Sequence, residues 1–395
     1  MKRNIALALV VLGCGSTAQS ANDAGSDAIA PTDAPNTPSD ASSDAANPTD
    51  APSASSLWSL GYYASWDTTT YPVSAIEWSG LTHVAASFYV PQTDGSLSLL
   101  GANPQTMQDL VTAAHAHNVK AIASIGGSDS GTAFEAATTG ATRATLVANI
   151  VSTVQSAGYD GVDIDWEPID ASDEPIVIDL ANKIRAAVPG AIMTLAIGYI
   201  NPNDPPDTSQ YAQIAAVYDQ MNVMSYGMAG AWSGWYSWHN SPLYQQDTHT
   251  PLSIDETVKA YEQAGVPAAK LGVGIGFYGL CYSTPVTAPD QPLNGSTIVA
   301  DDGTMSYAHI MSAYYAQNVA QFDSLAQVPY LSFTSAHGPE GCTYISYDDE
   351  QSIAAKGSYV KSNGLGGVMQ WEINEGYTNG QSPLLVAIHD HVLTN

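Results

Sequence analysis

Three acidic residues stand two positions apart in the segment 160–167, which reads DGVDIDWE. Successive side chains of an extended strand point to opposite faces, so Asp163, Asp165 and Glu167 would line up on one face. Like charges crowded in this way cost free energy unless a proton is shared or a partner is supplied. A strand with a purely structural role would avoid the arrangement. The pattern therefore predicts a site of acid–base chemistry in which one carboxyl group is kept protonated.

The spacing of these acids resembles the signature of family 18 glycoside hydrolases, the chitinases and their relatives. Asp160 and Gly161 complete the match at the start of the segment. Other segments agree with the family in the order that its barrel would require, and the resemblance extends from about residue 57 to the C-terminus. They are Gly61-Tyr62-Tyr63 for the first strand, Ser124-Ile125-Gly126-Gly127 for the third, Met224-Ser225-Tyr226 for the sixth and Gly366-Gly367-Val368-Met369-Gln370-Trp371 for the eighth.

The same part of the chain favours an α/β fold without reference to any family. Eight short apolar runs rich in β-branched residues alternate with helical patterns, which predicts a (β/α)8 TIM barrel. The active site of such a barrel lies at the C-terminal ends of its strands, and Glu167 follows the fourth run at that end. The predicted strands are 60–63, 83–89, 119–125, 161–166, 193–199, 220–225, 271–277 and 366–370.

One stretch between predicted strands is too long for an ordinary loop. Residues 279–346 separate the seventh strand from the last helix and strand. Members of the family often carry a small α+β insertion at this point, which forms one wall of the substrate groove. We predict a reduced insertion here, with a helix over 307–322 and a strand over 330–334.

The resemblance also assigns roles to individual side chains. Glu167 would protonate the glycosidic oxygen, because its neighbour Asp165 and nearby aromatic residues would raise its pKa. The nucleophile would be the N-acetyl carbonyl oxygen of the substrate itself, which gives an oxazolinium intermediate and retention of configuration. Asp165 would hold the acetamido N–H, and Tyr226 would donate a hydrogen bond to the acetamido carbonyl oxygen.

Further residues are expected around Asp165 on the same grounds. Asp163 would be its buried partner, and Trp371 would form a hydrophobic floor beneath the distorted sugar. The predicted substrate-binding residues of these motifs are Tyr62, Ser124, Met224 and Trp371, of which Tyr62 and Ser124 would also support Asp163.

The chain departs from the family pattern at Gly227. Family members commonly have Asp or Asn at this position, directly after the Met224-Ser225-Tyr226 motif. That side chain would ordinarily help to orient the sugar in the central subsite. Either another residue takes over this contact or binding in the subsite is weaker.

The loop after the sixth strand is rich in tryptophan. Trp232, Trp235 and Trp238 are candidates for sugar subsites, because aromatic rings stack on the apolar faces of pyranose rings. Trp66, after the first strand, is a further candidate. The alternative is that these rings pack their loops against the barrel.

Composition limits the class of partner. The chain has 395 residues, 45% of them hydrophobic, so that roughly 340 residues after the N-terminal segment can form one large domain. With 10 basic and 38 acidic residues, its net charge of -28 argues against nucleic acid and anionic membranes as partners. We expect a monomer that binds chitin or N-acetylglucosamine oligomers.

The N-terminus predicts export. A basic start and a short apolar run over residues 5–12 are typical of a secretory signal, here assigned to residues 1–21. Val11-Leu12-Gly13-Cys14 also resembles a bacterial lipoprotein box, in which Cys14 would carry the only membrane anchor. The alternative is ordinary cleavage after Ala18 or Ala21. Residues 22–56 lack aromatic and basic residues and predict a disordered linker.

Two cysteines remain in the predicted catalytic domain. Cys281 and Cys342 flank the predicted insertion, and paired cysteines are more common than free ones in exported proteins. We therefore predict a disulfide bond between them. The alternative is two buried free thiols.

Other chemistries have little support in the sequence. The pairs His115/His117 and His389/His391 lack a third ligand nearby, so we expect no metal and no cofactor. Three functions of the predicted barrel stay open, namely a secreted chitinase, an endo-β-N-acetylglucosaminidase acting on N-glycan cores and a non-catalytic chitin-binding lectin. The intact acids argue against the lectin, and Trp166 together with the insertion favours the chitinase.

Overall fold

The computed structural model describes residues 57–203, 205–246 and 248–394 of the chain. The predicted signal sequence 1–21, with Cys14, and the predicted linker 22–56 lie outside the described residues. Within these three ranges, no helix combines the length and the apolar character that crossing a membrane requires.

Eight parallel strands close into a barrel, because the first strand pairs with both the second and the last. The predicted (β/α)8 barrel is confirmed. The elements up to the seventh barrel strand are β1 (Trp58–Ala64), β2 (His83–Pro91), β3 (Leu97–Leu99), α1 (Pro104–Ala116), β4 (Lys120–Gly127), α2 (Gly131–Ala137), α3 (Thr142–Ala157), β5 (Gly161–Trp166), α4 (Glu174–Ala187), β6 (Ile192–Gly198), α5 (Tyr211–Val217), β7 (Gln220–Met224), α6 (Ile254–Gln263) and β8 (Leu271–Gly276).

A second, antiparallel sheet follows the seventh barrel strand, and the chain then returns to close the barrel. The remaining elements are β9 (Leu280–Tyr282), β10 (Ile298–Ala300), α7 (Tyr307–Ala313), β11 (Ala320–Asp323), β12 (Val328–His337), β13 (Cys342–Ser346), α8 (Glu350–Ser362), β14 (Gly367–Trp371) and α9 (Pro383–Ile388). The order of strands around the barrel is β1-β2-β4-β5-β6-β7-β8-β14, and β3 pairs antiparallel with β2 at the barrel rim.

Strand β5 shows how an alternating sequence directs two sets of side chains. Its three apolar residues Val162, Ile164 and Trp166 belong to the large core between the barrel and its helices. A smaller cluster, which includes Leu60, Tyr62, Ile122 and Met369, fills the interior of the barrel. The acids of β5 point toward that interior, as the pleat of the strand requires.

The insertion between β8 and α8 is a five-stranded antiparallel sheet in the order β10-β9-β13-β12-β11, with α7 beside it. The helix predicted over 307–322 is wrong beyond Ala313, because Ala320–Asp323 pairs with β12 as a strand. Pairing with a distant strand there outweighs the local preference for a helix. The strand predicted over 330–334 lies within β12.

The two cysteines of the insertion form a disulfide bond, with their Cα atoms 5.3 Å apart. Cys281 lies on β9 and Cys342 begins β13, the neighbouring strand. The predicted bond is confirmed, and the alternative of two free thiols is wrong. The bond joins the first and last strands of the insertion.

Candidate active site

Asp163 lies at the centre of a buried hydrogen-bond network inside the barrel. Its Oδ2 accepts from the Tyr62 hydroxyl at 2.8 Å and from the Ser124 hydroxyl at 2.7 Å. Its Oδ1 accepts from the Thr194 hydroxyl at 2.6 Å, a contact that the sequence did not indicate. Burial raises the pKa of Asp163, while the three hydrogen bonds oppose the rise. Donors on three other strands, β1, β4 and β6, therefore hold this carboxyl group in one orientation.

Asp165 is the next acid along the strand and is also buried. Burial raises its pKa well above the ordinary range, and the negative charges of Glu167 and Asp163 raise it further. Its carboxyl group is hydrogen-bonded to that of Glu167, while its Oδ1 is buried without a hydrogen-bond partner. Two carboxyl groups can be hydrogen-bonded only through a proton, and the strongly raised pKa of Asp165 favours this residue as the carrier of that proton.

Glu167 follows the end of β5 and is half-buried at the mouth of the barrel. The pKa of Glu167 is raised to about 7. Burial is the largest cause, the hydrogen bond from Asp165 opposes it, and the charges of Asp129, Asp163 and Asp302 add to it. A carboxyl group with this pKa exchanges its proton near neutral pH, as a general acid must.

Ser130 fixes the backbone that carries both acids. Its hydroxyl donates to the Asp165 carbonyl oxygen at 3.0 Å and accepts from the Glu167 N–H at 3.1 Å. This close approach of β4 and β5 depends on Gly126, since a Cβ there would lie 1.9 Å from the Asp165 carbonyl oxygen. The sequence signal for this contact is the Gly126-Gly127 pair, although nothing local identifies Ser130.

Tyr226 follows the end of β7 and is half-buried. Its hydroxyl lies 3.7 Å from the Met369 sulfur, and its ring meets the Tyr278 ring edge-on at 5.9 Å. Burial raises the pKa of Tyr226 well above 10, and the charges of Tyr278 and Asp165 add to the rise. The hydroxyl therefore keeps its proton at neutral pH and can donate it to an acceptor in the barrel mouth.

Aromatic rings form a continuous row across the barrel mouth. Trp371 stacks on Phe88 with ring centroids 5.7 Å apart, and Phe88 stacks on Trp66 at 6.0 Å. Tyr62 meets Trp371 edge-on at 5.7 Å. Trp66 is 38% exposed, whereas Phe88 is buried, so the row ends in a ring that is open to solvent.

A model of the "Glycosyl hydrolases family 18" matches residues 59–376. The chain belongs to glycosyl hydrolase family 18. Among relatives by sequence, a chitinase-like effector of Moniliophthora roreri is 27% identical over 78% of this chain and 87% of its own length. Chitinase A1 of Niallia circulans is 30% identical over 65% of this chain, although this chain spans only 40% of that enzyme.

Solved structures of family 18 proteins share this fold. The Group IV chitinase of Ostrinia furnacalis matches with a TM-score of 0.72 and 21% identity, over 86% of this chain and all of that one. The chitinase-like agglutinin of Robinia pseudoacacia matches with a TM-score of 0.69 and 24% identity, over 84% of this chain and 98% of that one. At these identities the matches show the fold alone.

The buried members of the predicted family 18 site do not contact the groove directly. Tyr62 and Ser124, predicted to bind substrate, are 1% and 0% exposed and donate to Asp163 instead. Their hydroxyl groups therefore support that carboxyl group. Met224 is half-buried and packs against the inner cluster of the barrel, as Tyr226 and Trp371 do.

The tryptophans in the loop after β7 of this family 18 protein differ in burial. Trp238 is fully buried and donates its indole N–H to the Leu252 carbonyl oxygen at 2.9 Å, so its prediction as a sugar subsite is wrong. Trp232 and Trp235 are half-buried and meet edge-on at 4.8 Å. Trp238 is covered because its part of the loop packs against the segment that contains Leu252. The spacing of the tryptophans in the sequence does not indicate which of the three rings is buried.

Asp160, the first acid of the family 18 motif, lies at the opposite end of β5 from Glu167. It accepts from Lys120 at 2.9 Å and from the Ala121 N–H at 2.9 Å, and it pairs with His115 at 2.8 Å. Partial burial raises the pKa of Asp160, but these contacts outweigh burial, so that the pKa lies below its ordinary value. This acid therefore ties β5 to the β4 side of the barrel, away from the barrel mouth.

Proposed function

We propose that this family 18 hydrolase is a chitinase that cleaves β-1,4 linkages between N-acetylglucosamine units with retention of configuration. The observation that supports the proposal is the hydrogen-bonded pair of carboxyl groups of Asp165 and Glu167 at the end of β5, both with a raised pKa. An acetamido N–H is a donor of the right kind for the Asp165 carboxyl group. Relatives named chitinases and a neighbour solved with allosamidin support the same substrate class.

Substrate binding would redistribute the shared proton. A donor placed against Asp165 stabilises its anionic form and so lowers its pKa. The proton then moves to Glu167, which lies at the barrel mouth. In this way the enzyme would become a competent acid only when an N-acetyl group is present.

Bond cleavage follows from the same arrangement. The acetamido carbonyl oxygen attacks the anomeric carbon, the glycosidic bond breaks and Glu167 gives its proton to the departing oxygen. Tyr226 would donate a hydrogen bond to the acetamido group, and Asp165 would stabilise the positive charge of the oxazolinium ion. Water then attacks the anomeric carbon, the bond from that carbon to the acetamido oxygen breaks and Glu167 takes up a proton of the water, which restores the acid and the N-acetyl group and gives the β anomer.

The aromatic row provides the binding surface. Trp371 would lie beneath the central sugar, and the exposed ring of Trp66 would stack on a sugar further along the chain. A polymer of pyranose rings fits such a row better than a single small sugar. We also infer that the protein is exported, on the basis of the N-terminal sequence.

Some family members are named for properties other than hydrolysis, among them the chitinase-like effector and the agglutinin. Hydrolysis of chitin hexamer and of a high-mannose glycoprotein, followed by product analysis, separates a chitinase from an endoglycosidase and from a lectin. We expect oligomer products from the hexamer and none from the glycoprotein. Binding without cleavage would support the lectin instead.

Two variants test the assigned roles. Glu167→Gln should lower kcat on chitin oligomers by at least roughly 10²-fold, the usual range for loss of a general acid. Asp165→Asn should also lower kcat sharply, while affinity for oligomers changes less. Glu135→Gln, which removes an exposed carboxyl group on α2, is the matched control and should keep full activity. Near wild-type turnover of Glu167→Gln would remove that residue from the role.

A further inference from the structure

Two consecutive residues of the loop after β7 hold the backbone on either side of Tyr226. The Ser241 hydroxyl donates to the Ser225 carbonyl oxygen at 2.6 Å. The Gly227 N–H donates to Asn240 Oδ1 at 2.9 Å. One contact engages the peptide group before Tyr226 and the other engages the peptide group after it. Together they fix the direction in which the Tyr226 side chain leaves the backbone.

Ser225 is in turn anchored to the neighbouring barrel strand β8. Its hydroxyl donates to the Gly274 carbonyl oxygen at 2.9 Å and accepts from the Gly274 N–H at 2.9 Å. The side chain of Ser225 thus belongs to the barrel, whereas its carbonyl oxygen is bound by Ser241 of the loop. The backbone that enters Tyr226 is therefore held between the barrel and the loop.

Asn240 is fixed by residues of two other segments. Its side-chain amide donates to the Tyr278 carbonyl oxygen at 3.0 Å, and its backbone N–H donates to the Ser346 hydroxyl at 3.0 Å. Its own carbonyl oxygen accepts from the Met228 N–H at 2.9 Å. Asn240 is buried, so solvent does not compete for these contacts. It therefore offers Gly227 an acceptor at a fixed place.

A buried ion pair lies behind Ser241. Lys356, on α8, donates to Asp348 Oδ1 at 2.6 Å and Oδ2 at 2.7 Å, and to Ser241 Oγ at 2.7 Å. An ammonium group can only donate, so the hydroxyl oxygen of Ser241 must accept from Lys356. The proton of this hydroxyl group is then left for the Ser225 carbonyl oxygen. The ion pair thus sets the direction of the hydrogen bond that Ser241 makes.

The position of this ion pair is informative, because burying two charges costs free energy. Apolar residues of similar volume often give equal or greater stability at such sites. Lys356 Nζ makes two contacts with Asp348 and one with Ser241, which uses every donor of an ammonium group. The donor that leaves the pair is therefore directed at the residue that binds the backbone of Tyr226.

We propose that Ser241 is a positioning residue for Tyr226, and that Lys356 and Asp348 set the orientation of its hydroxyl group. All three are buried and would act on a substrate only through Tyr226. In this arrangement the Tyr226 hydroxyl is aimed at the acetamido carbonyl oxygen at the moment of attack. The inference rests on the proposed function, since it requires the role given to Tyr226 in hydrolysis.

A double-mutant cycle tests the positioning role. Ser241→Ala should lower kcat on chitin oligomers by roughly 10-fold, because a small displacement of an aligned group lowers the rate strongly. Tyr226→Phe removes the hydroxyl group that Ser241 positions. In the Tyr226→Phe background, Ser241→Ala should lower kcat by less than about 2-fold, since residues that act through one another are not additive. A merely structural role of Ser241 would instead give the same loss of kcat in both backgrounds, which would overturn the proposal.

The ion pair is tested by a variant that leaves no isolated charge in the core. Lys356→Met combined with Asp348→Asn should lower kcat by a smaller factor than Ser241→Ala, and again only while the Tyr226 hydroxyl is present. Unchanged kcat in this variant would overturn the role of the pair. Ser59→Ala is the matched control for Ser241→Ala, because it removes a buried hydroxyl group that donates to the Gly80 carbonyl oxygen at 2.6 Å near the start of β1. It should leave kcat unchanged.

Hydrogen exchange provides a measurement that does not depend on turnover. In Ser241→Ala the amides of Gly227 and Met228 should exchange faster than in the wild-type protein, because both are bound by the residue next to the lost contact. Ser59→Ala should not change their exchange. Unchanged exchange in Ser241→Ala would overturn the proposal. Absence of chitin hydrolysis by the wild-type protein, with the difference in exchange intact, would instead reject the proposed function.

Discussion

The carboxyl groups of Asp165 and Glu167 are hydrogen-bonded to each other, and Asp165 has the more strongly raised pKa. In the proposed mechanism the free protein holds the shared proton on Asp165, the residue that does not deliver it. Delivery requires a donor at Asp165, which couples recognition of the acetamido group to general acid catalysis. The pH dependence of kcat/KM therefore tests whether this pair supplies the catalytic proton.

The rate kcat/KM on chitin oligomers should fall on the alkaline side of about 7, the pKa of Glu167, when the Asp165–Glu167 pair loses its last proton. While the pair keeps that proton Glu167 can deliver it, and once the proton is lost the acid is inactive. Asp129 is exposed, and its negative charge raises the pKa of Glu167, so Asp129→Asn should move the alkaline limb to lower pH. Asp109→Asn, on the exposed side of α1, serves as control. A shift to higher pH in Asp129→Asn would contradict this electrostatic account.

Trp66 and Trp238 should respond to substitution in opposite ways. Trp66→Ala removes an exposed stacking ring and should raise KM for chitin hexamer by roughly 2- to 10-fold, with stability almost unchanged. Trp238→Ala empties a fully buried site and should lower the free energy of unfolding by about 3–5 kcal/mol. Kinetics and urea unfolding of both variants check the contrast. Equal effects of the two substitutions on KM would place both rings in the groove.

The Cys281–Cys342 bond should stabilise the insertion. Thiol titration of a denatured, unreduced protein beginning at Leu57 should find no free thiol. The bond closes a loop of 61 residues, so replacing both cysteines by serine should lower the free energy of unfolding by up to about 4 kcal/mol. Two titratable thiols in the oxidised protein would be inconsistent with the structure.

The proposed mechanism requires an N-acetyl group on the central sugar, because a free amine or hydroxyl group has no carbonyl oxygen to attack the anomeric carbon. Cellulose oligomers and fully deacetylated chitosan should therefore be inert. A thiazoline analogue of the oxazolinium ion should inhibit, since it resembles the cyclised intermediate more than the substrate. NMR of fresh hydrolysate should show the β anomer first. Initial α product would rule out the roles given to Asp165, Glu167 and Tyr226.

The sequence by itself determines the features that depend on short-range periodicity. Alternation in β5 is enough to separate its acids from Val162, Ile164 and Trp166, because the pleat of a strand repeats every two residues. The eight strand positions follow from the same kind of pattern. The pairing of Cys281 with Cys342 could be predicted because residues 57–395 contain no other cysteine.

Only the tertiary structure decides which distant residues meet. Thr194 at Asp163, Ser130 beneath Glu167 and Asp302 against Trp371 come from separate strands and loops whose paths no local pattern specifies. The same holds for burial within one loop, where Trp238 is covered while Trp232 is not. Side-chain type and spacing indicate which residues can do chemistry. Their distances and exposures arise from the packing of segments far apart in the chain, and these set the pKa values on which the chemistry depends.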